Sequence, residues 1–210
     1  QVRHIAAPDA GLGGAHQGIH VGAVHIYLAA VVVNDLGGAR DGSGGSASAA
    51  QAVVDEIIAA GGEAIANTDS VAEYKSAEGI IEQAIATYGR LDGVINNAGI
   101  LRDRVLVNMS EDDWDAVMHV HLKGHFVPTH HAANYWREKA KAGEKVQASI
   151  INTSSTSGLL GNVGQSNYGA CKAAVAAMAI IVDGEMRRYG VTANAIAPLA
   201  RTRLTVEATP

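Results

Sequence analysis

Short apolar runs rich in β-branched residues alternate along the chain with longer segments in which apolar residues recur every three or four positions. Runs of the first kind are typical of buried strands, and segments of the second kind are typical of helices with one apolar face. We predict strands over residues 31–35, 64–67, 91–96, 148–153 and 191–196. We predict helices over residues 47–60, 71–88, 110–141 and 167–189, the third of them capped by Ser110.

The repeated strand–helix units predict the fold class. A strand that returns to the same sheet through a helix runs parallel to the preceding strand, with a right-handed crossover. We therefore expect an α/β protein with a doubly wound parallel sheet, a Rossmann fold, formed by residues 1–210 as a single domain. The one low-complexity stretch, residues 37–48, is rich in Gly and Ser and is expected to be a mobile surface loop.

Composition and charge exclude several classes of function. Of the 210 residues, 48% are hydrophobic and 18% are charged; the net charge is −5, and no run of Lys and Arg offers a surface to nucleic acid. Cys171 is the one cysteine, which excludes an intrachain disulfide. The apolar residues 19–33 include His20 and His25 and are fewer than the ~18 that a membrane span requires. We expect a cytoplasmic protein that binds neither nucleic acid nor membrane.

Tyr168 and Lys172 are four residues apart in a predicted helix, which places both side chains on one helix face. A phenol with a pKa of about 10 is a poor base near neutral pH, and a neighbouring positive charge favours the phenolate. Lowering this pKa by about 3 units requires about 4 kcal/mol, which Lys172 and a cationic cofactor would supply together. Ser155, from the preceding loop, would donate a hydrogen bond to a substrate oxygen. These residues suit hydride chemistry at a carbonyl; the alternative is an ordinary helix pair.

Two further sets of residues follow predicted strands, where ligands bind in doubly wound folds. Asp35 ends its strand where a carboxylate would accept hydrogen bonds from an adenosine ribose and repel a 2′-phosphate. This position predicts NAD rather than NADP; a solvated loop acid is the alternative. Asn96, Asn97, Ala98 and Gly99 follow another strand, where an amide side chain can tie neighbouring strands and the small residues let a cofactor approach the backbone.

A Gly-rich stretch near the N-terminus lies where the first turn of such a fold binds a pyrophosphate, ahead of a helix. Its candidate phosphate-binding residues are Gly11, Gly13 and Gly14. The spacing of the glycines is imperfect, because Gln17 or His20 stands where the pattern requires a glycine. This loop therefore departs from the usual pattern.

Several of these motifs occur in an order and at a spacing that are typical of one family. Asn96 to Gly99, Ser155, Tyr168, Lys172 and the segment NAIAP at 194–198 together resemble the short-chain dehydrogenase/reductase family. Within that family, the chain is similar to the (3R)-hydroxyacyl-CoA dehydrogenase domain of peroxisomal multifunctional enzyme type 2 and its actinobacterial relatives. The segments that carry this likeness are NDLGG at 34–38, NNAGILRDR at 96–104, VHLKG at 120–124 and GNVGQSNY at 161–168.

The resemblance implies roles for individual residues. Tyr168 would be the general acid/base, Ser155 would orient the substrate oxygen, and Lys172 would bind the nicotinamide ribose while lowering the pKa of Tyr168. The resemblance also implies a homodimer or homotetramer and further residues that contact NAD. These residues are Ser70 and Val71 beside the adenine, Pro198, and Thr202 near the carboxamide or the pyrophosphate.

The chain departs from the family in two respects. His121 stands where many members have a catalytic asparagine. It either relays protons, with a rate that depends on a group of pKa about 6.5, or is a packed helix residue. Family members also continue through a substrate lid and a last strand, whereas this chain ends at Pro210. We therefore expect a C-terminally incomplete domain whose substrate specificity cannot be predicted from the sequence.

The function predicted from these observations is NAD-dependent interconversion of a secondary alcohol and a ketone, with a 3-hydroxyacyl-CoA thioester as the leading substrate. A dinucleotide-binding scaffold or sensor that has lost turnover is one alternative, and a hydro-lyase or epimerase that uses Tyr168 and Lys172 is another. His121 and His125 are spaced as metal ligands often are, and His130 and His131 follow. Neither an HExxH motif nor paired cysteines accompany them, so no metal site is expected.

Overall fold

The structure is a computed structural model that describes residues 29–198, together with the backbone of strand residues 3–7, 19–21 and 24–26. Eight strands are present in this part of the chain: β1 Arg3–Ala7, β2 Ile19–Val21, β3 Val24–Ile26, β4 Ala30–Asn34, β5 Glu63–Asn67, β6 Gly93–Asn96, β7 Ala148–Thr153 and β8 Val191–Ile196. The six α-helices are α1 Ser48–Ala59, α2 Tyr74–Tyr88, α3 Glu111–Val117, α4 Gly124–Lys141, α5 Thr156–Leu160 and α6 Ser166–Met186. The five strands predicted from the sequence, now β4 to β8, are confirmed.

Six of the strands form one sheet in the order β5-β4-β1-β6-β7-β8. β4 pairs in parallel with β5, and β6, β7 and β8 are parallel to one another. This arrangement, with the first strand at the centre and helices on both faces, is the doubly wound Rossmann type that the alternating pattern predicts.

The central strand β1 is an exception to the predicted parallel sheet, because it pairs antiparallel with both β4 and β6. The helix that was expected after the Gly-rich stretch is also replaced, by the antiparallel hairpin of β2 and β3. The segments Ile19–Val21 and Val24–Ile26 are rich in β-branched residues, which favour strands, and only two residues separate them. A parallel neighbour requires a long crossover, usually a helix, whereas an antiparallel one does not. The antiparallel direction of β1 is therefore consistent with a connection to β4 through a hairpin rather than through a helix.

Helices cover both faces of the sheet. Val31 and Val33 of β4 are buried against α1, and Val32 between them faces the opposite side. On that opposite side, α2, α4 and α6 pack over a core that includes Val94 and Ile150. No helix within residues 29–198 combines the length and hydrophobicity that crossing a bilayer requires.

The predicted helix over 110–141 is one continuous helical segment with an irregular centre. Ser110 caps it as predicted, because its hydroxyl accepts a hydrogen bond from the Asp113 N–H at 3.1 Å. Between α3 and α4, residues Met118–Lys123 form a π-helical segment. Such π turns occur frequently at functional sites, and this one carries His121.

Candidate active site

The candidate catalytic side chains meet beyond the carboxyl ends of β6 and β7. Residues 97–100 leave the end of β6, and Ser155 follows β7 as the N-cap of α5. Tyr168 and Lys172 come from the first turns of α6, which pack closely against α5 because Gly158 has no side chain. A Cβ there would lie 2.6 Å from the backbone nitrogen of Ala173. The tertiary structure thus brings Ser155 to the pair of Tyr168 and Lys172 on α6.

Tyr168 lies between Ser155, Lys172 and His121. The Lys172 Nζ atom is 5.7 Å from the centroid of the Tyr168 ring, and the His121 ring contacts the same ring edge-on at a centroid distance of 5.1 Å. Burial raises the pKa of Tyr168 above its usual value; the Ser155 hydroxyl acts against this increase, and Asp103 adds to it. In the protein alone the phenol therefore keeps its proton, which is opposite to the decrease predicted from Lys172.

The Lys172 side chain is almost fully buried, with 2% of its surface exposed. Its ammonium donates a hydrogen bond to the carbonyl oxygen of Thr153 at the end of β7. Burial lowers the pKa of Lys172 to about 7, and Cys171 partly opposes this decrease. Lys172 is therefore the group of the site that titrates close to neutral pH, and it exchanges its proton more readily than an exposed lysine.

His121 is held by the backbone that follows the Asn96–Gly99 loop. Its Nε2 atom is 2.7 Å from the carbonyl oxygen of Ile100 and 3.1 Å from the Ile100 nitrogen, whereas its buried Nδ1 atom has no hydrogen-bond partner. Burial, followed by the charge of Lys172, lowers the pKa of His121 to about 3, although the Ile100 backbone acts in the opposite direction. The expected titration of His121 near 6.5 is therefore wrong, because the neutral imidazole is the stable form throughout the usual pH range.

The structure places the residues predicted to contact a cofactor in different surroundings. Asp35 follows β4 at the same edge of the sheet, and its Oδ1 atom accepts a hydrogen bond from the Gly37 N–H at 2.6 Å. Gly37 adopts a left-handed conformation with φ of 70°, which glycine tolerates best. Val71 packs against Gly124 at the start of α4, and the hydroxyl of Ser70 accepts a hydrogen bond from the Ala72 N–H at 3.3 Å.

The other cofactor candidates belong to loops at this edge or lie elsewhere. Asn97 and Ala98 are half-buried in the loop after β6, and Pro198 is exposed after β8. Gly99 fits closely under His121, since a Cβ at this position would overlap the imidazole. Four of the predicted residues lie outside the described part of the chain, namely Gly11, Gly13, Gly14 and Thr202.

Two sets of buried polar residues support the site, and of these only an amide that ties neighbouring strands after β6 was predicted from the sequence. Asn167 is fully buried and donates to the carbonyl oxygens of Arg102 and Asp113, both at 3.1 Å, which joins α6 to the loop after β6 and to α3. The amide of Asn96 donates to Asn152 and to Thr129, each at 2.9 Å, and so links β6, β7 and α4. The available signal was the asparagine at the end of each strand, a poor strand former that requires partners when buried.

A polar cavity of about 570 Å³ opens next to the loop after β6. It is lined by three arginines and three aspartates together with Leu101: Arg40, Arg102, Arg104, Asp41, Asp103 and Asp113. The Arg102 Nε atom donates to the carbonyl oxygen of Asp41 at 3.0 Å, while the Arg104 side chain is exposed. Within residues 29–198, no three His, Cys, Asp or Glu side chains form a metal-binding group.

Comparison with known proteins adds to this geometry. Residues 42–208, which are more than half of the chain, match the family described as short chain dehydrogenase. The chain belongs to this family. Short-chain dehydrogenases typically bind NAD or NADP, although this does not distinguish between the two cofactors.

Individual short-chain dehydrogenases and related enzymes match over most of the chain. Hydroxyacyl-CoA dehydrogenase ChsB1 of Mycobacterium tuberculosis is 46% identical over 185 residues, which are 85% of this chain and 56% of that protein. Peroxisomal multifunctional enzyme type 2 of Mus musculus is 43% identical over 182 residues, which are 87% of this chain and 24% of that protein. A crystal structure of a short chain dehydrogenase from Mycobacterium avium has a TM-score of 0.76 and 58% identity, and covers 83% of this chain and 60% of that chain.

These matches confirm the likeness to the multifunctional enzyme and to actinobacterial proteins that the motifs predicted. The chain spans only about half, or less, of the length of these two curated relatives.

The described part of the site fits a nicotinamide dinucleotide. An ammonium has three N–H donors, and the structure shows one acceptor for Lys172 within residues 29–198, the Thr153 carbonyl, so donors remain for ribose hydroxyls. Asp35 stands at the carboxyl edge of the sheet, where an adenosine ribose is bound in this fold class. Lys172 and Asp35 would therefore hold the two ends of the dinucleotide.

Proposed function

We propose that the protein is an NAD-dependent oxidoreductase that interconverts a secondary alcohol and a ketone, with a 3-hydroxyacyl-CoA thioester as substrate. The observation that carries this proposal is the convergence of Ser155, Tyr168 and Lys172 at the carboxyl edge of the sheet. Family membership agrees with it, because the reaction class belongs to the family. The contact between the Ser155 hydroxyl and Tyr168 supports the proposal, because both groups could then reach one substrate oxygen.

Oxidation of the alcohol removes a hydride and the hydroxyl proton from the substrate. A bound NAD would supply the acceptor for the hydride. Tyr168, as the phenolate, would take the hydroxyl proton, while the Ser155 hydroxyl would donate a hydrogen bond that holds the same oxygen in place. Because burial raises the pKa of Tyr168, the phenolate requires nearby positive charge. The Lys172 ammonium supplies that charge from the chain itself, and its pKa of about 7 lets it pass on a proton near neutral pH.

The substrate class is supported by two observations. The matched regions of ChsB1 and of the multifunctional enzymes cover more than 80% of this chain, and the name of ChsB1 gives hydroxyacyl-CoA as its substrate. The cavity beside the loop after β6 carries Arg40, Arg102 and Arg104. Guanidinium groups bind phosphate well, so these arginines are candidate phosphate ligands for a CoA carrier, although Asp41, Asp103 and Asp113 in the same lining offset their charge.

The choice of NAD over NADP is supported by Asp35. Its Oδ1 atom accepts the Gly37 N–H, which directs the carboxylate at the edge of the sheet where an adenosine ribose is bound in this fold class. A 2′-phosphate in the same place would meet a like charge.

The proposal is tested by following NADH formation with a panel of 3-hydroxyacyl-CoA thioesters, steroid alcohols and simple secondary alcohols. We expect turnover with NAD and a hydroxyacyl-CoA, and at least about tenfold lower kcat/KM with NADP. Each alcohol is tested in parallel with the Tyr168→Phe variant to exclude a contaminating activity. Turnover only with substrates that lack CoA would reject the substrate class, and absence of turnover with the whole panel would reject the oxidoreductase proposal.

A specific observation favours the second candidate, a dinucleotide-binding scaffold without turnover. The β2–β3 hairpin occupies the region where a helix was expected to follow the Gly-rich stretch. The N-terminus of such a helix normally stabilises the pyrophosphate. Calorimetric titration with NAD separates the two candidates: binding without turnover over the whole panel supports the scaffold.

A further inference from the structure

His125 is a buried polar side chain that the proposed reaction does not use. It lies in the first turn of α4, none of its surface is exposed, and neither Nδ1 nor Nε2 has a hydrogen-bond partner among the described residues. An unpaired buried polar group typically costs about 1–3 kcal/mol, so an apolar residue of similar size would make a more stable helix. The histidine therefore calls for a reason other than packing.

The surroundings of His125 contain the catalytic lysine. The charged groups that act on its ring are Lys172 from α6 and His121 from the π-helical segment, while β7 contributes the uncharged carbonyl of Thr153. The ammonium of Lys172 donates to that same Thr153 carbonyl. The Lys172 ammonium and the His125 ring thus both face the carbonyl of Thr153.

The next turn of α4 extends the same polar region. Thr129, four residues after His125 and on the same helix face, accepts the hydrogen bond of Asn96, which also donates to Asn152. The side-chain nitrogen Nδ2 of Asn152 is also buried without a hydrogen-bond partner among the described residues. Unpaired polar atoms therefore lie on His125 and Asn152, on the elements α4 and β7 that adjoin Lys172, as expected for a region that binds internal water.

The charge state of His125 determines what it offers to this region. Burial lowers the pKa of His125 well below its usual value, the charges of Lys172 and His121 lower it further, and the carbonyls of His121 and Thr153 act in the opposite direction. The ring is therefore neutral. A neutral imidazole has one nitrogen that accepts a hydrogen bond and one that donates. An ammonium needs the acceptor, and a backbone carbonyl needs the donor.

We propose that His125 is a positioning residue for Lys172: its neutral imidazole accepts an N–H of the ammonium through one bound water, and its own N–H is directed towards the carbonyls of His121 and Thr153. The ammonium is then held in the rotamer that reaches Tyr168, and its positive charge is stabilised. This assignment rests on the proposed catalytic role of Lys172. It predicts that the loss of the imidazole acts on the lysine rather than on the fold.

The first test is the titration of Lys172 in the cofactor-free protein. The ε-carbon NMR signals of the six lysines are followed against pH, and Lys172→Met identifies the signal of interest. His125→Leu replaces the ring by an apolar side chain of similar volume, and we expect it to lower the pKa of Lys172 by about one unit. His125→Gln keeps an acceptor and a donor and should leave the pKa within about 0.3 units of the parent. His131→Leu makes the same substitution on α4 at a ring that contacts Tyr74 of α2 instead, and as the matched control it should not move the pKa of Lys172.

The second test is the pH profile of turnover. If the pKa of Lys172 decreases by one unit, the fraction of Lys172 in the ammonium form at alkaline pH falls about tenfold. At alkaline pH, kcat should therefore fall about tenfold in His125→Leu and recover in His125→Gln. The melting temperature of His125→Leu should stay close to that of the parent, because leucine fills a similar volume and a neutral imidazole contributes little net hydrogen-bond energy. An unchanged Lys172 titration and pH profile in His125→Leu would show that His125 is a packing residue.

Two further measurements keep the outcome decisive. If His125→Leu does not fold, His125→Met gives the same comparison, because an unbranched side chain adapts to the cavity. In the parent protein, nitrogen NMR shifts of the His125 ring report whether each nitrogen is hydrogen-bonded; two free nitrogens would overturn the proposal. A shifted Lys172 titration in a protein without turnover would support the positioning role and reject the proposed function instead.

Discussion

At the scale of single residues, Tyr168 and Lys172, the proposed acid/base pair, have opposite pKa shifts. Burial raises the pKa of Tyr168, whereas burial lowers the pKa of Lys172 to about 7. Both shifts disfavour the charged form of the pair, as desolvation predicts. A phenolate at Tyr168 therefore depends on the positive charge that a bound oxidised nicotinamide adds to the site.

Replacement of Tyr168 by phenylalanine should abolish turnover with little effect on cofactor binding. Only the phenol oxygen is lost, and it is the atom that exchanges the proton; we expect kcat to fall by about a thousandfold. Steady-state kinetics measure the loss, and calorimetric titration with NAD serves as the control for an intact site. Substantial residual activity would assign the acid/base role to another residue.

Replacement of Asp35 by asparagine should weaken the discrimination against NADP. The amide oxygen can still accept the Gly37 N–H, so the local turn is kept while the charge that repels a 2′-phosphate is removed. The ratio of the two dissociation constants should favour NAD by about tenfold or more in the parent and approach unity in the variant. Asp55→Asn, on the exposed face of α1, is the control. Equal affinities in the parent protein would contradict this prediction.

Substitutions of His121 should separate its contact with Ile100 from its charge. Because the pKa of His121 is about 3, the folded protein binds fewer protons there than the unfolded chain between pH 3 and 6.5. Stability should therefore fall as the pH decreases through this range, by up to about 1.4 kcal/mol per unit, and His121→Asn should reduce that slope. Thermal unfolding at several pH values measures this effect.

The same variants should have different effects on turnover. His121→Asn can still bond the Ile100 backbone and should keep most of the activity, whereas His121→Leu cannot and should lose about tenfold or more. The rate of the parent enzyme should not depend on a titration of residue 121 near pH 6.5, because the His121 imidazole is already neutral at that pH. Equal activity of His121→Leu and the parent would show that the Ile100 contact is dispensable.

At the scale of secondary-structure elements, the π-helical segment positions His121 against the loop after β6. The segment interrupts a helix that is regular on both sides, and Pro128 in the next turn has no N–H to donate to the Gly124 carbonyl. The loop comes close because Gly99 has no side chain. Helix and loop therefore depend on each other at one contact.

An alanine at position 99 should disrupt this contact. Its Cβ would overlap the His121 ring, so Gly99→Ala should destabilise the protein by about 1–3 kcal/mol and reduce turnover. Gly184→Ala is a matched control in α6, where a Cβ meets open space, and it should stabilise by about 0.5–1 kcal/mol. Chemical denaturation measures both. In the double variant Gly99→Ala/His121→Ala the two losses should be less than additive, and strict additivity would show that the residues do not contact.

At the scale of the whole molecule, α6 and α4 present apolar side chains to solvent. Ile180 and Ile181 on α6 are 76% and 58% exposed, and Phe126 on α4 is 47% exposed. A face of this kind is typical of an interface. We expect α4 and α6 to pair with the same helices of a second copy around a two-fold axis, in a homodimer or homotetramer.

The size of the particle in solution tests this assembly. Light scattering at micromolar concentration should give at least a dimer, and Ile180→Asp should shift it towards the monomer because a charge would be buried in the interface. Val163→Asp, which is 90% exposed in the parent and lies outside this face, is the control and should leave the assembly unchanged. A monomeric parent protein would contradict the prediction.

Much of the architecture was predictable because it depends on local patterns. β4 to β8 and the long helices follow from apolar runs and helical periodicity, which adjacent residues in the sequence define. The spacing of Tyr168 and Lys172 is likewise local, since any helix brings residues four apart to one face. Asp35, Ser155 and the Asn96–Gly99 loop were located by their positions after strands, because parallel strands share one carboxyl edge.

Other properties depend on which elements become neighbours, and only the tertiary structure decided them. The direction of β1 depends on the path of the chain through the β2–β3 hairpin. The low pKa values of His121, His125 and Lys172 arise from burial that α4, α6 and β7 create together, which no segment shows alone. The sequence by itself thus determined the elements and the order of the catalytic residues. Their protonation was decided by the tertiary structure, because removal of a charge from water depends on the surrounding fold.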